Sequence, residues 1–192
     1  MGCSLELLDV LCPIIEAVLD RDDPQYRSEQ HRAAIRTLEL RLDRMDQRIS
    51  AVSTTEGDCP NDSSSSRKVA ELFRLAAYIY LERLAKGCDN NEPKVKCLLD
   101  TAFELRREMG LCDRPWPVFI IALEARTDEE RVLILSVLEN SLTQRPLGNL
   151  AITKRLIHAA WVQQDLHAVS GLDPLLVYST VISENRVPPS FT

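Results

Sequence analysis

The stretch that decides the fold is RPWPVFIIALEARTDEER, residues 114–131. Its nine residues 115–123 carry no charge, whereas six of the eight residues 124–131 are charged. Proline is tolerated in the first turn of a helix, because its missing N–H would have no partner there. Pro115 and Pro117 therefore predict a short helix, over about 115–125, that is buried on all sides.

The charged half of this stretch predicts a second helix directly after the first. Thr127 with Glu130 three residues later forms a capping box, in which each side chain accepts a hydrogen bond from the other residue's backbone N–H. Glu124 and Arg126, between the two helices, are placed to form a salt bridge at the bend. The stretch is thus a junction between two helices.

Helical periodicity extends over almost the whole chain, in which only 6 of 192 residues are glycine. Apolar residues recur at steps of three and four, and no segment alternates as a strand would. We predict an all-α protein of roughly eight helices packed as successive antiparallel hairpins, forming one domain over 1–192. The predicted helices cover about 4–20, 28–53, 68–86, 92–109, 115–125, 128–145, 149–164 and 173–185, and TTEGDCPNDSSSSR at about 54–67 is predicted to be a flexible loop.

The second predicted helix carries a partial heptad seam. Its apolar residues keep a spacing of three and four residues for about two and a half heptads, which is short for a coiled coil. Two interpretations stay open: a helix packed inside a helical array, or the seam of a homodimer. The residues are Ile35, Leu38, Leu42, Met45, Ile49 and Val52.

Charge and hydropathy exclude several classes of protein. The net charge is −6 with a pI near 5.2, so the chain as a whole repels a phosphate backbone, and we expect no direct nucleic-acid binding. No uncharged run approaches the ~20 residues that span a bilayer, and the N-terminus lacks the cationic start of a secretory signal. We expect a soluble intracellular protein, nuclear or cytoplasmic.

The six cysteines do not have the spacing of a metal site. No C-x-x-C pair occurs, and the three histidines add no H-x(3–5)-H motif, so we predict neither a metal nor another cofactor. Cys12 and Cys97 lie in apolar helical surroundings and are predicted to be small core residues. Cys59 and Cys88 lie in polar loops and are predicted to be the more reactive pair.

Five segments carry a resemblance to a known family, and they occur in order from Gly2 to the C-terminus. They are GCSLELLDVL, AELFRLAAYIYLERL, PWPVFIIALEARTDEERVLILSVLE, GNLAITKRLIHAAW and PPSFT. Together they resemble the C-terminal half of the fungal-specific transcription factor regulatory domain. The resemblance implies a helical domain that modulates a gene regulator, often of secondary metabolism, through protein partners or small molecules. Nothing in the chain matches the family's binuclear zinc cluster, so we expect it not to read DNA alone.

Two functions follow as hypotheses. The first is a regulatory domain that binds an apolar small molecule or a protein partner. The second is a recruited scaffold acting as a metal-free cyclase, isomerase or pericyclase on an apolar intermediate, since a helical stack can hold an apolar pocket. The candidates for catalysis are His158 as general base, with Gln164 and Tyr78 orienting a substrate. The candidates for ligand binding are Trp161, Trp116, Tyr80, Glu124 and Arg126, although Trp161 on a helix stripe is also typical of core packing.

Overall fold

A computed structural model describes residues 5–18, 23–26, 28–51, 60–89, 91–111 and 114–166. Over these residues the chain is all-α, as predicted, with seven α-helices and no strand. The bounds are α1 Leu5–Glu16, α2 Glu29–Ala51, α3 Pro60–Tyr80, α4 Pro93–Glu108, α5 Pro115–Leu123, α6 Asp128–Gln144 and α7 Gly148–Leu166. None of these helices combines the length and the apolar character needed to cross a membrane. The helix predicted at 173–185 lies outside the described residues.

The chain contains two compact units, Met1–Leu105 and Arg106–Thr192. The single domain over 1–192 stays a prediction. In the first unit, α1, α2 and α3 pack against one another. The described part of the heptad seam faces this core, because Ile35, Leu38 and Leu42 are buried. These three residues therefore pack inside the unit.

The segment predicted as a loop at 54–67 is helical from Pro60 onward, because α3 begins there. Proline suits the first position of a helix. Serine lowers helix stability only slightly, and a helix already formed by the apolar residues that follow can extend through it. The apolar face of α3 includes Leu72, Phe73 and Tyr80, which are buried. Residues 54–59 lie outside the described residues.

A π-helical turn, Leu81–Ala85, continues α3. The N–H of Lys86 donates to the carbonyl of Leu81, five residues earlier, at 3.0 Å. Gly87 follows with φ 70°, a left-handed conformation that glycine adopts without a steric penalty, and the chain turns away there. The end predicted for this helix at about residue 86 is thus confirmed, whereas the wider turn before it has no sequence signal.

The second unit is built around α5, whose nine residues are all buried, as the uncharged run predicted. α6 and α7 pack against α5 and against each other. They run antiparallel: Arg131 near the start of α6 pairs with Asp165 near the end of α7 at 2.8 Å, and Glu139 pairs with Lys154 at 2.8 Å. The helical hairpin leaves α5 covered from both sides.

Two cysteines predicted to be core residues are exposed. Cys12 on α1 and Cys97 on α4 both face solvent, so this prediction was wrong. The apolar neighbours Val95 and Leu99 are buried on one side of α4, and residue 97 lies two positions from each. On a helix such positions point to opposite sides, so apolar neighbours in sequence do not make a residue internal.

The capping box at the start of α6 provides a test of the junction. Thr127 Oγ1 accepts the N–H of Glu130 at 3.2 Å, and Glu130 Oε2 accepts the N–H of Thr127 at 3.0 Å. We expect Thr127→Ala to lower the free energy of unfolding by about 1 kcal/mol, because one backbone donor loses its partner. Urea denaturation measures this change.

The matched control for this prediction is Thr143→Ala in the same helix. The Thr143 hydroxyl is exposed and bonds only to the carbonyl of Glu139 one turn back. We expect this substitution to change the free energy of unfolding by less than about 0.5 kcal/mol. Equal losses for the two variants would contradict the role assigned to the capping box.

Candidate functional site

The first unit contains a groove, which we call the Tyr78 groove, with a volume of about 500 Å³. Three helices form it, and each contributes residues spaced by three or four positions, which lie on one helix face. Its lining combines three cations, two carboxylates, two leucines and a phenol. The residues are Arg36, Glu39, Leu40 and Asp43 from α2, Arg74 and Tyr78 from α3, and Lys94 and Leu98 from α4.

Tyr78 holds the centre of the groove. Only 5% of the residue is exposed, and its hydroxyl donates to Asp43 Oδ1 while lying 3.3 Å from the carbonyl of Glu39. Burial, followed by the hydrogen bond to Asp43 and the charge of that carboxylate, raises the pKa of Tyr78 far above its usual value. The phenol therefore stays neutral and acts as a hydrogen-bond donor.

Two cations lie over the Tyr78 ring. Arg74 Cζ is 5.6 Å and Lys94 Nζ is 5.7 Å from the ring centroid, within the reach of a cation–π interaction. Arg74 is held in place by a bidentate pair with Glu71, at 2.6 and 2.8 Å. The ring is thus fixed by contacts at its faces and at its hydroxyl.

A network of four charged side chains borders the groove. Lys86 Nζ lies 2.5 Å from Glu39 Oε1 and 3.0 Å from Glu82 Oε1, and Lys94 bridges the same two carboxylates, with 3.1 Å to Glu39. Glu82 is 3% exposed, so its charge depends on these partners. The network ties α2, the π-helical turn and the first turn of α4 together.

The pKa values of the network follow from its geometry. Burial alone would raise the pKa of Glu82, but the hydrogen bonds from Lys94 and Lys86 outweigh it and leave the pKa lowered. Burial opposes the charge of Lys86 and of Lys94 as well, and the hydrogen bonds to Glu39 and Glu82 leave both pKa values raised. All three groups are therefore charged at neutral pH.

The π-helical turn is what places Glu82 in this network. Its wider winding turns the residues that follow relative to a continuous α-helix, and it is closed by the N–H of Cys88 donating to the carbonyl of Glu82 at 2.9 Å. Arg83, also buried, donates through Nη1 to the carbonyl of Cys88. The π-helical turn thus contributes Glu82 to the charged network, which the sequence did not predict.

Cys88, predicted to be reactive, lies beside this acidic group. Its Sγ is 3.5 Å from Glu82 Oε2. Burial, then the hydrogen bond and charge of Glu82, raise the pKa of Cys88 to about 11. Since the thiolate is the nucleophile, the position disfavours reactivity, which is the opposite of the prediction. The other predicted reactive residue, Cys59, lies outside the described residues.

Three candidate site residues lie on α7, in the second unit, and two of them support α5. Trp161 Nε1 donates to the carbonyl of Ala122 at 2.7 Å, and Gln164 Nε2 donates to the carbonyl of Leu123 at 2.7 Å. Trp161 is buried, with the Arg131 guanidinium 5.2 Å above its ring. The N–H donors of both side chains are thus engaged by the end of α5.

The remaining candidates differ in their exposure. His158 is exposed and meets the edge of Trp161 at a centroid distance of 5.9 Å. Trp116, Tyr80 and Glu124 are buried, whereas Arg126 is exposed and uses its backbone N–H to donate to Glu130 Oε2 at 2.8 Å.

Of the candidates, only Tyr78 lines the groove. Four other residues of the groove lining were not predicted as site residues: Arg36, Glu39, Asp43 and Lys94. Their spacing of three and four residues marks a helix face, but it does not indicate which face of which helix they would meet. Among the described residues, no group of three or more His, Cys, Asp or Glu side chains could hold a metal ion.

Comparison with known proteins places the chain in context. The family model described as fungal specific transcription factor domain matches residues 1–175. The protein named transcription factor iacI, from Pestalotiopsis fici, is 25% identical over 130 residues, which are 68% of this chain and 34% of that protein. The chain thus spans about a third of the length of this curated relative. No solved structure matches it.

The buried carboxylate of Glu82 provides a second test. Glu82→Gln keeps the shape of the side chain but leaves Lys86 and Lys94 with Glu39 as their shared carboxylate. We expect the free energy of unfolding at pH 7 to fall by about 2 kcal/mol, the usual worth of hydrogen bonds to a charged group. Urea denaturation at several pH values measures it.

The pH dependence follows from the sign of the pKa shift. The lowered pKa keeps Glu82 ionised in the folded chain at pH values where the unfolded chain has already taken up a proton. The difference between the wild type and Glu82→Gln should therefore be complete above the ordinary glutamate pKa of 4.5 and shrink as the pH falls below it. Glu139→Gln, which loses an exposed pair with Lys154, is the control and should be less destabilising. A difference that grew toward low pH would contradict the network.

The thiol of Cys88 provides a third test. With a pKa of about 11, its rate of alkylation by iodoacetamide should rise about tenfold per pH unit between pH 7 and pH 9 and not level off there. Peptide mass spectrometry measures the rate at Cys88 separately, with the exposed Cys97 as internal reference. A plateau for Cys88 below pH 9 would show that its thiolate is not disfavoured.

Proposed function

This chain belongs to the family of fungal specific transcription factor domains, and from that premise we propose that it regulates a gene regulator by binding a ligand or a protein partner in the Tyr78 groove. The groove is the observation that carries this proposal. Its volume of about 500 Å³ lies within the range of about 300–1,000 Å³ that is usual for binding sites. Its mixture of leucines, a phenol and charged groups is typical of a surface that binds rather than reacts.

The mechanism that we propose is a change in the packing of α4. Lys94 belongs to the first turn of α4 and is shared between Glu39 of α2 and Glu82 of the π-helical turn. An occupant of the groove that interacts with Lys94 or with the Tyr78 ring would compete with these contacts. Binding would thereby alter how α4 is held against α2 and α3, and a regulator can respond to such a shift.

We propose that DNA recognition belongs to another part of the regulator. A net charge of −6 supports this assignment, because it opposes binding to a phosphate backbone. We further propose a nuclear location and a link to secondary metabolism, both of which the family membership supports only in general terms. Any homodimer would use a surface other than the Ile35, Leu38 and Leu42 seam, since these residues are buried.

The alternative, a metal-free cyclase, isomerase or pericyclase, lacks a supporting arrangement of residues. The proposed catalytic residues His158 and Gln164 belong to the second unit, and Tyr78 belongs to the first. Gln164 Nε2 donates to the backbone, and the Tyr78 hydroxyl donates to Asp43. These contacts lie within the protein, and none of them indicates a substrate shared by the three side chains.

A reporter assay tests the regulatory function. The whole chain is fused to a heterologous DNA-binding module, and transcription from its target promoter is measured in a fungal host. We expect Leu40→Asp, which places a carboxylate in the groove, to change reporter output several-fold. Leu40 is 57% exposed, so the substitution should leave the fold intact.

The matched control is Leu147→Asp, at a leucine of the second unit that is 42% exposed and does not line the groove. It should leave reporter output unchanged. The proposal would be contradicted if the fusion gave the same output as the DNA-binding module alone, or if both aspartate variants behaved alike. Turnover of an apolar metabolite by the purified chain would instead favour the enzyme.

A further inference from the structure

One face of α2 carries a stripe of residues spaced four apart: Arg32, Arg36, Leu40 and Arg44. All four are exposed, and Leu40 is 57% exposed although it is large and apolar. Residues at this spacing lie one above another on a helix. Over twelve residues the stripe extends for about 18 Å. It is a basic surface with an apolar side chain at its third position.

The three arginines of the stripe have no ion-pair partner among the side chains that the structure describes. Neighbouring cations of the same unit differ in this respect, because Lys86 and Lys94 are paired with Glu39 and Glu82. Since no described side chain pairs with them, these guanidinium groups are suited to bind a carboxylate or a phosphate.

Two acids of α2 beside the stripe, Glu39 and Asp43, are already engaged. Glu39 Oε1 is within 3.1 Å of both Lys86 and Lys94, and Asp43 accepts the hydroxyl of Tyr78. These contacts reduce the extent to which Glu39 and Asp43 can balance Arg36. The unbalanced charge on this face is therefore positive, and an occupant with the complementary charge is acidic.

Beside the stripe lies the apolar part of the Tyr78 groove. Leu40 belongs to both, and it faces the same cavity as Leu98 and Tyr78. A partner lying along α2 can therefore place an apolar side chain between Leu40 and Leu98 and acidic side chains over the flanking arginines. An amphipathic helix presents this pattern, with apolar and charged positions three or four residues apart.

We infer that the stripe and the groove together form the docking surface for an acidic amphipathic helical segment of a partner protein. This inference rests on the proposed function and names the chemistry of the partner. Leucine-like side chains of the segment fill the groove, and its carboxylates pair with Arg36 on one side of Leu40 and Arg44 on the other.

Two other ligands fit the surface less well. A small carboxylate in the groove would reach Arg36, but it would leave Arg44 unused, because Arg44 does not line the cavity. A nucleic acid would bring a continuous row of phosphates toward Asp43 and Glu39, beside the stripe, and toward a chain of net charge −6. An acidic helical segment carries its carboxylates at selected positions, so these can pair with the arginines and lie away from Asp43 and Glu39.

The test uses the full chain and a synthetic peptide of about 15 residues, long enough as a helix to cover the stripe. The peptide carries leucines at one helical face and glutamates at the flanking positions. Fluorescence anisotropy measures its affinity. Arg36→Ala and Arg44→Ala should each weaken binding about two- to fivefold, and together about tenfold. Leu40→Ser should weaken it by a similar factor, and added salt should weaken it further.

The matched control is Arg155→Ala, which removes an exposed arginine from α7 in the second unit and should leave the affinity unchanged. Circular dichroism checks that each variant is folded. A second peptide with serines in place of leucines separates apolar docking from simple charge attraction. A third, with lysines in place of glutamates, should not bind.

Four results would each overturn the inference: no binding of the acidic peptide, equal binding of the serine peptide, a loss at Arg36 without any loss at Arg44, or equal affinity for a DNA duplex. The third would indicate a small carboxylate ligand, and the fourth a nucleic-acid surface. If the acidic peptide does not bind but the reporter fusion is active, this partner is excluded and the regulatory function is retained. An inactive fusion removes the regulatory function itself, whatever the peptide does.

Discussion

The carbonyl groups at the end of a helix need hydrogen-bond donors, and in α5 this need determines much of the second unit. All nine residues of α5 are buried, so the end of the helix is poorly placed to receive donors from water. The N–H of Ala125 reaches the carbonyl of Ala122 at 3.2 Å, and Trp161 and Gln164 of α7 supply further donors, to Ala122 and Leu123. Because both side-chain donors come from α7, that helix must run alongside α5. α6, which begins five residues after Leu123, then runs antiparallel to α7 through the short connection at 145–147.

The first unit faces a related constraint, which concerns charge rather than backbone. A carboxylate as buried as Glu82 is costly unless cations compensate it, and two lysines from different elements do so. Both lysines also pair with Glu39 of α2. The compensation of one buried acid thus ties α2, the π-helical turn and α4 together. The Tyr78 groove shares Glu39 and Lys94 with this network and lies between α2, α3 and α4.

How far the sequence predicts this structure depends on how local the cause is. The buried α5 helix and the capping box at Thr127 were predicted correctly, because proline placement and a three-residue spacing act within one turn. The stretch at 60–67 was predicted as loop from its serines, yet helix propensity is a weak preference that an adjoining apolar face overrides. Similarly, Trp161 was weighed as a ligand-stacking residue, although its alternative interpretation as packing describes its buried position.

The groove could not be predicted, because it depends on contacts between residues that are distant in the sequence. Tyr78 was selected as an aromatic residue on an apolar helix, but its partner Asp43 lies 35 residues earlier. The surroundings of Cys88 could not be predicted for the same reason, since burial and Glu82 raise the pKa of the thiol, whereas the sequence shows only a polar loop. The spacing of residues in the sequence shows only which groove residues share a face of their own helix.

The π-helical turn at Leu81–Ala85 also bears on how relatives of this chain should be aligned. A π-helical turn accommodates one residue more than the α-helix it interrupts. A relative that lacks one residue in this segment can therefore wind it as an α-helix and still present the following residues on nearly the same side. A single-residue gap placed within Leu81–Ala85 then marks the loss of the π-helical turn, and it keeps the residues before and after the turn in structural correspondence. A gap placed elsewhere in α3 would shift this correspondence by one residue, or by about 100° around the helix.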